Sequence, residues 1–207
     1  MKKIDTFWRA VAAGISISIG AAAYLSCSNK IVGAFLFTVG LFTICFFKLD
    51  LFTGKIGYFL DTVKPLDCLL IWFGNGVGCI LGGVLLRFGS PNVAAAAAAV
   101  TEAKLDIPLW RAAILGLFCG MLMYIAVHNY LIGKHVLTKC IGVLVCIPAF
   151  IICGFEHCIA NIVYFAAGIS KPSQIVGMLL MTLVVSLANG IGAVAFRRIS
   201  LTFRKEN

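Results

Sequence analysis

Long apolar runs, separated by short clusters of Gly, Pro, Asn and charge, divide the chain into six stretches at residues 8–27, 31–59, 66–88, 109–130, 136–169 and 173–197. A membrane-crossing helix needs about 20 apolar residues, and a backbone group left unpaired in lipid costs several kcal/mol. Stretches of this length therefore read as helices packed in a bundle. The chain shows no period-2 alternation, which argues against a β-barrel. The first stretch, beginning near Trp8, is followed by others of equal quality, so it reads as a helix rather than a leader. The expected fold class is all-α integral membrane, with six transmembrane helices in one domain over residues 1–207.

Two of the six stretches are interrupted. Lys48-Leu49-Asp50-Leu51-Phe52-Thr53-Gly54-Lys55 breaks the second, and Gly154-Phe155-Glu156-His157 breaks the fifth, where Pro148 has already removed a helix donor. Each reads as two half-helices. The third and sixth stretches share a further pattern, Asn75-Gly76-Val77-Gly78 and Asn189-Gly190-Ile191-Gly192. Three spans followed by three matching spans have opposite orientations, which predicts a 3+3 inverted repeat over about 8–88 and 109–197. In that plan, broken helices meet near the bilayer midplane, and their positive N-terminal ends favour an anion there.

Composition agrees with a lipid-solvated chain. Of 207 residues, 61% are hydrophobic and only 12% charged, with a mean hydropathy of +1.04, too little polar surface to coat a soluble globule. A net charge of +9 would suggest nucleic acid in a soluble protein, but here the cations sit at span ends, so no nucleic-acid partner is expected. Lys2, Lys3 and Arg9 at one terminus and Arg197, Arg198, Arg204 and Lys205 at the other place both termini in the cytoplasm of a bacterial-type inner membrane. Arg87, Lys104 and Arg111 then fall outside, and a positive outer mouth suits an anionic substrate. The nine cysteines form no C-x-x-C and mostly lie in apolar runs, so they read as buried free thiols.

His157 is the most informative single residue. An imidazole beside Glu156 within an apolar span needs a reason, and its unperturbed pKa of about 6.5 permits proton exchange near neutrality; the alternative is a satisfied core histidine. Metal ligation fits poorly, and no cofactor is expected. Asp50 and Glu156 are read as supports of the helix breaks, accepting free N–H groups as N-caps do. Thr53 can offer a hydroxyl, or cap its own helix. Asn161 and Asn189 can offer amide donors. Lys104 is either a solvated loop charge or a cation attracting anions into a vestibule. Phe37, Leu41 and Phe150, with Leu51 and Phe52 at the first break, are either ordinary packing or constrictions that exclude water.

These motifs resemble the formate/nitrite transporter family. Gly154-Phe155-Glu156-His157-Cys158-Ile159-Ala160-Asn161 is similar to that family's G-F-E-H-S-x-A-N signature, with Cys158 in place of Ser, and Asp50-Leu51-Phe52-Thr53-Gly54 to its [DE]-L-F-T-[GS] loop. Phe73 to Gly78, Asn189 to Gly192 and Lys104 extend the likeness over nearly the whole chain. Lys48, Lys55 and Gly120 depart from it. The resemblance implies an aquaporin-like protomer in a homopentamer, one pore per protomer, with His157 facing Thr53 and acting on the passing anion. It further implies constrictions at Phe37 and Leu41 on one side and Phe150 on the other. The expected activity is passage of a small monovalent anion such as formate, nitrite or hydrosulfide, assisted by a proton; the protein is not expected to be an enzyme. Two other readings stay open on the residues alone: a neutral small-solute facilitator and a membrane redox subunit.

Overall fold

The structure, a computed structural model, describes residues 3–59 and 61–204, with side chains through Thr202; Lys2 and Lys205 of the basic termini lie outside the described residues. It is all-helical: α1 (Lys3–Ser26), α2 (Lys30–Phe46), α3 (Phe52–Lys55) leading into a 3-10 turn (Ile56–Tyr58), α4 (Pro65–Gly89), α5 (Pro91–Leu105), α6 (Leu109–Ile132), α7 (Val136–Ile152), α8 (Cys158–Gly168) and α9 (Ile175–Arg204). Helices α1, α4, α6 and α9 are long and apolar enough to cross a membrane, while α2, α7 and α8 are shorter apolar helices. Large apolar side chains cover the outer surface: Phe88 is 81% exposed and Leu187 70%. Such a surface is stable against acyl chains and not against water.

Small residues let the long helices approach closely. A Cβ added at Gly14 of α1 would lie 2.3 Å from the Asn75 carbonyl oxygen of α4, and one at Gly78 would lie 2.1 Å from that of Val11. The pair α6 and α9 repeats this contact: a Cβ at Gly120 would meet the Asn189 carbonyl oxygen at 2.1 Å, and one at Gly192 that of Leu117 at 2.1 Å. In both pairs the helices run parallel, with backbone touching backbone as small-residue packing in membranes allows. This gives the departure at Gly120 a reason, since no larger side chain fits.

Helices α2 and α7 end in the same way. Lys48 (φ 53) and Gly154 (φ 68) take the left-handed conformation. The next residue then donates back over the helix end, Leu49 N–H to Ile44 O at 2.9 Å and Phe155 N–H to Phe150 O at 2.9 Å. This is the hydrogen-bond pattern of a Schellman stop. The chain runs on through Asp50 and Glu156 before α3 and α8 begin. Every carboxylate, carboxamide and imidazole buried among the described residues (Asp50, Asn75, Glu156, His157, Asn161 and Asn189) gathers at these two interruptions or packs on them. By contrast, Ser16, Ser18 and Thr182 spend their hydroxyls on carbonyls of their own helices.

The stretch between the third and fourth spans is not a loop. It forms α5, started by Ser90 as N-cap with Pro91 behind it, and tied to α8 by Thr101, whose hydroxyl donates to the Tyr164 carbonyl at 3.0 Å. The alanine run from Ala94 to Ala99 has high helix propensity but low hydropathy contrast, and so carries little periodic signal.

Candidate functional site

The first interruption is held by one carboxamide. Asn75 accepts the Phe52 N–H at 2.8 Å and donates to the carbonyls of Asp50 at 2.9 Å and Ala10 at 2.8 Å. Asn189 does the same at the second: it accepts the Cys158 N–H at 3.0 Å and donates to the carbonyls of Glu156 and Gly116, both at 2.8 Å. Each amide thus satisfies the first free N–H of a short helix and fastens the chain to two neighbours. Both Asn189 amide hydrogens are consumed, so the expectation of Asn189 as a donor to a solute is corrected: it is a staple.

The two carboxylates are not N-caps either. The Asp50 carboxylate pairs with Arg9 at 3.2 Å and Lys55 at 3.1 Å. Glu156 takes the Lys104 ammonium at 2.7 Å and the Asn161 amide at 2.8 Å on the same oxygen. Each ties its break to a different helix, and the capping is done by Asn75, Asn189 and His157. Buried carboxylates need such charged partners, because an unpaired charge in the low-dielectric interior costs several kcal/mol.

His157 sits at the N-cap of α8, 2% exposed, and its Nδ1 accepts the Ala160 N–H at 3.0 Å. An accepting Nδ1 puts the hydrogen of the neutral ring on Nε2. Nε2 lies 3.0 Å from Oγ1 of the fully buried Thr53 on α3. The two interruptions, 104 positions apart in sequence, therefore meet at this pair. Phe150 stacks on the imidazole with ring centroids 5.6 Å apart, and Phe37 meets Phe150 edge-on at 6.0 Å. Leu41 is buried as well.

A cavity of about 240 Å³ opens beside His157, lined by Phe150, Glu156, Asn161 and Lys104 among others. The side-chain amide oxygen of Asn161, Oδ1, is buried without a hydrogen-bond partner among the described residues. A second cavity of about 590 Å³ is lined by Leu51, Gly54 and Tyr58, together with Arg9, Lys48, Lys55 and Lys139. Phe52 lines neither. It faces an apolar groove beside Trp72 and Leu187, which removes it from the expected constriction.

The outer cations are also corrected. Lys104 is a half-buried ion-pair member, not a solvated loop charge, and Arg87 donates to the carbonyls of Ala167 and Ile169. The positive field lies instead around the larger cavity. Sequence reasoning missed Asn75 and Arg9 as parts of the site; the recurrence of Asn-Gly-x-Gly in both halves was the available signal for Asn75.

The chain is thus an all-helical bundle with four membrane-length apolar helices, and its buried polar groups gather where α2 gives way to α3 and α7 to α8. A family model described as "Formate/nitrite transporter" matches residues 1–203, and the chain belongs to that family; it is a multi-pass membrane protein. It is similar to formate channel FocB of Escherichia coli (26% identical over 183 residues, 77% of this chain and 65% of that protein) and to formate channel FocA of Haemophilus influenzae (26% over 155 residues, 68% and 55%). The chain thus spans less than two thirds of the length of those two relatives. Its fold matches that of a pentameric formate channel with formate bound, at a TM-score of 0.82 and 21% identity, covering 99% of this chain and 98% of the other. An FNT family ion channel matches at 0.78 and 20% identity, covering 98% and 89%.

Proposed function

We propose that this chain passes small monovalent anions, formate, nitrite or hydrosulfide, through a pore within each protomer of a homopentamer, with His157 as proton partner and Thr53 as co-donor. The observation that carries the reading is the 3.0 Å contact of Nε2 with Oγ1, at the junction of two helix interruptions and between two cavities. Membership of the family and the likeness to formate channels support it. On this reading the six spans form a 3+3 inverted repeat with broken second and fifth helices in an aquaporin-like protomer, and residues 1–207 act as one transport domain. The doubled contacts of Asn75 and Asn189 support the repeat. The termini lie in the cytoplasm of the plasma membrane, in keeping with the basic residues around the larger cavity.

A bare anion in an apolar constriction carries a large desolvation cost, which donors and a proton reduce. The neutral ring, capped by Ala160, offers Nε2–H together with the Thr53 hydroxyl to an arriving anion. Proton uptake puts a hydrogen on Nδ1, and the ring must then give up the Ala160 N–H. In this uncapped state the imidazolium transfers its Nε2 proton to the anion, which crosses as the neutral acid and leaves a neutral ring protonated on Nδ1. Return of a proton to Nε2, with loss of the one on Nδ1, regenerates the neutral Nε2–H ring and restores the cap. Asn161 and Lys104 line the approach, and Phe37, Leu41, Leu51 and Phe150 form constrictions beside the pair; Phe37 meets Phe150 edge-on at 6.0 Å, so these two share one constriction instead of flanking the pair. The test is a flux panel in proteoliposomes. Formate, nitrite or hydrosulfide should equilibrate far faster than in empty liposomes, and neutral polyols should not. Polyol flux without anion flux would overturn the reading.

A further inference from the structure

The two cavities lie at opposite ends of the bundle. Arg9 and Lys139 line the larger one, Tyr24 and Phe150 the smaller. From Arg9 to Tyr24 along α1 and from Lys139 to Phe150 along α7, the helical rise amounts to about 16–22 Å.

Their electrostatics differ sharply. At the smaller cavity Lys104 and Glu156, 2.7 Å apart, cancel. The larger cavity gathers Arg9 from α1, Lys48 from the first interruption, Lys55 from α3 and Lys139 from α7. The nearby carboxylate of Asp50 is already shared by Arg9 and Lys55. Lys48 and Lys139 form no ion pair among the described residues. Lys48 and Lys139 thus bring two positive charges that no carboxylate among the described residues offsets.

Lys48 carries a second signal. It holds a left-handed φ of 53, whereas glycine occupies the matching stop at 154. A side chain in that conformation costs about 1–2 kcal/mol that glycine avoids. A lysine retained there points to a use for its ammonium. The cavity, at about 590 Å³, lies within the range of about 300–1,000 Å³ of small-molecule sites. Its lining includes apolar Ile44 and Leu51 and the Tyr58 ring.

We propose that this vestibule binds a multivalent oxyanion of diphosphate size, seated on Lys48 and Lys139, which closes the pore from this end alone. A multivalent anion matches these two charges. It cannot go further, because past Leu51 the route reaches buried Thr53 and a single imidazole, which neutralises at most one charge. The closing action rests on the transport reading above; the binding does not.

Pyrophosphate is the probe. Thermal unfolding of the full chain in detergent should show stabilisation by pyrophosphate beyond that of sodium chloride at equal ionic strength, with apparent affinity at least tenfold weaker in the double variant Lys48→Gln/Lys139→Gln. Equal stabilisation of both proteins, or none beyond that of chloride, would overturn the site. In proteoliposomes that conduct formate, pyrophosphate should block flux only from the Lys48 side, assigned by amine labelling, and the double variant should conduct without block. Block from both sides, or from neither, would overturn the closing action. Liposomes that conduct no formate would count against the transport reading instead, and the unfolding assay would still decide the site.

Discussion

Asn75 and Asn189 make the same three hydrogen bonds in two places: each accepts one helix-starting N–H and donates to two carbonyls, one at a helix interruption and one on a parallel neighbour. Both are fully buried. Replacing either with alanine strands one donor and two acceptors where water is scarce, at about 1–3 kcal/mol for each unsatisfied group. Asn75→Ala and Asn189→Ala should each lower the stability of the purified protein by at least about 2 kcal/mol, read as a large drop in Tm in detergent. Asn161→Ala should lower it less, because Asn161 makes one bond, to Glu156. Equal Tm values for all three variants would contradict the staple role.

The glycine contacts give a steric prediction. Gly14→Ala and Gly120→Ala would put a methyl group 2.3 Å and 2.1 Å from a backbone carbonyl oxygen, so the helices must part. Gly76→Ala is the control, since its Cβ would meet only Ile162 at 3.9 Å. The first two should reduce Tm and expressed yield sharply, and the control should leave both near wild type.

Backbone strain at the two helix stops predicts opposite signs. Lys48→Gly should stabilise by about 1 kcal/mol and Gly154→Ala should destabilise by a similar amount, since only the second forces a Cβ into a left-handed residue. Chemical denaturation in detergent micelles would measure both.

Of the groups outside the membrane, Asp61 has a folded pKa below the ordinary carboxylate range, chiefly because the Arg197 side chain donates to it, with Arg198 adding to the effect. A lowered folded pKa contributes stability that is fully present above the unfolded aspartate value, about 3.9, and is lost as pH falls through the lower folded value. Asp61→Asn should remove that part of the acid dependence, seen as a flatter Tm curve below pH 4. An unchanged curve would show that the Asp61 cluster does not contribute to it.

Much of the fold was legible because long apolar runs have few outcomes in lipid. Residues 66–88 and 109–130 differ from α4 and α6 by no more than two positions at either end, and charge and glycine at Lys48 to Lys55 and Gly154 to His157 marked the segments where α2 and α7 end. Helix α5 was hidden because alanine gives propensity without contrast. Partner choice was not legible at all. Glu156 reads as a cap but pairs with Lys104, and Asn189 reads as a pore donor but spends its carboxamide on three hydrogen bonds. Such pairings join residues up to 137 positions apart, as Asp61 and Arg198 show, and no local pattern encodes them.

The central claim is that His157 serves the anion as proton partner, and His157→Asn separates that role from its structural one. Asparagine is a strong N-cap and can keep the Ala160 N–H satisfied, but it cannot titrate. Formate flux in proteoliposomes should therefore be measured against pH for wild type and His157→Asn, with Tm confirming that both are folded. Loss of a buried charge-assisted hydrogen bond, about 1.5–3 kcal/mol, corresponds to roughly a tenfold or greater loss of rate. The account predicts wild-type flux that rises as pH falls and a variant at least tenfold slower with no pH dependence. A folded variant with wild-type flux and the wild-type pH profile would contradict it.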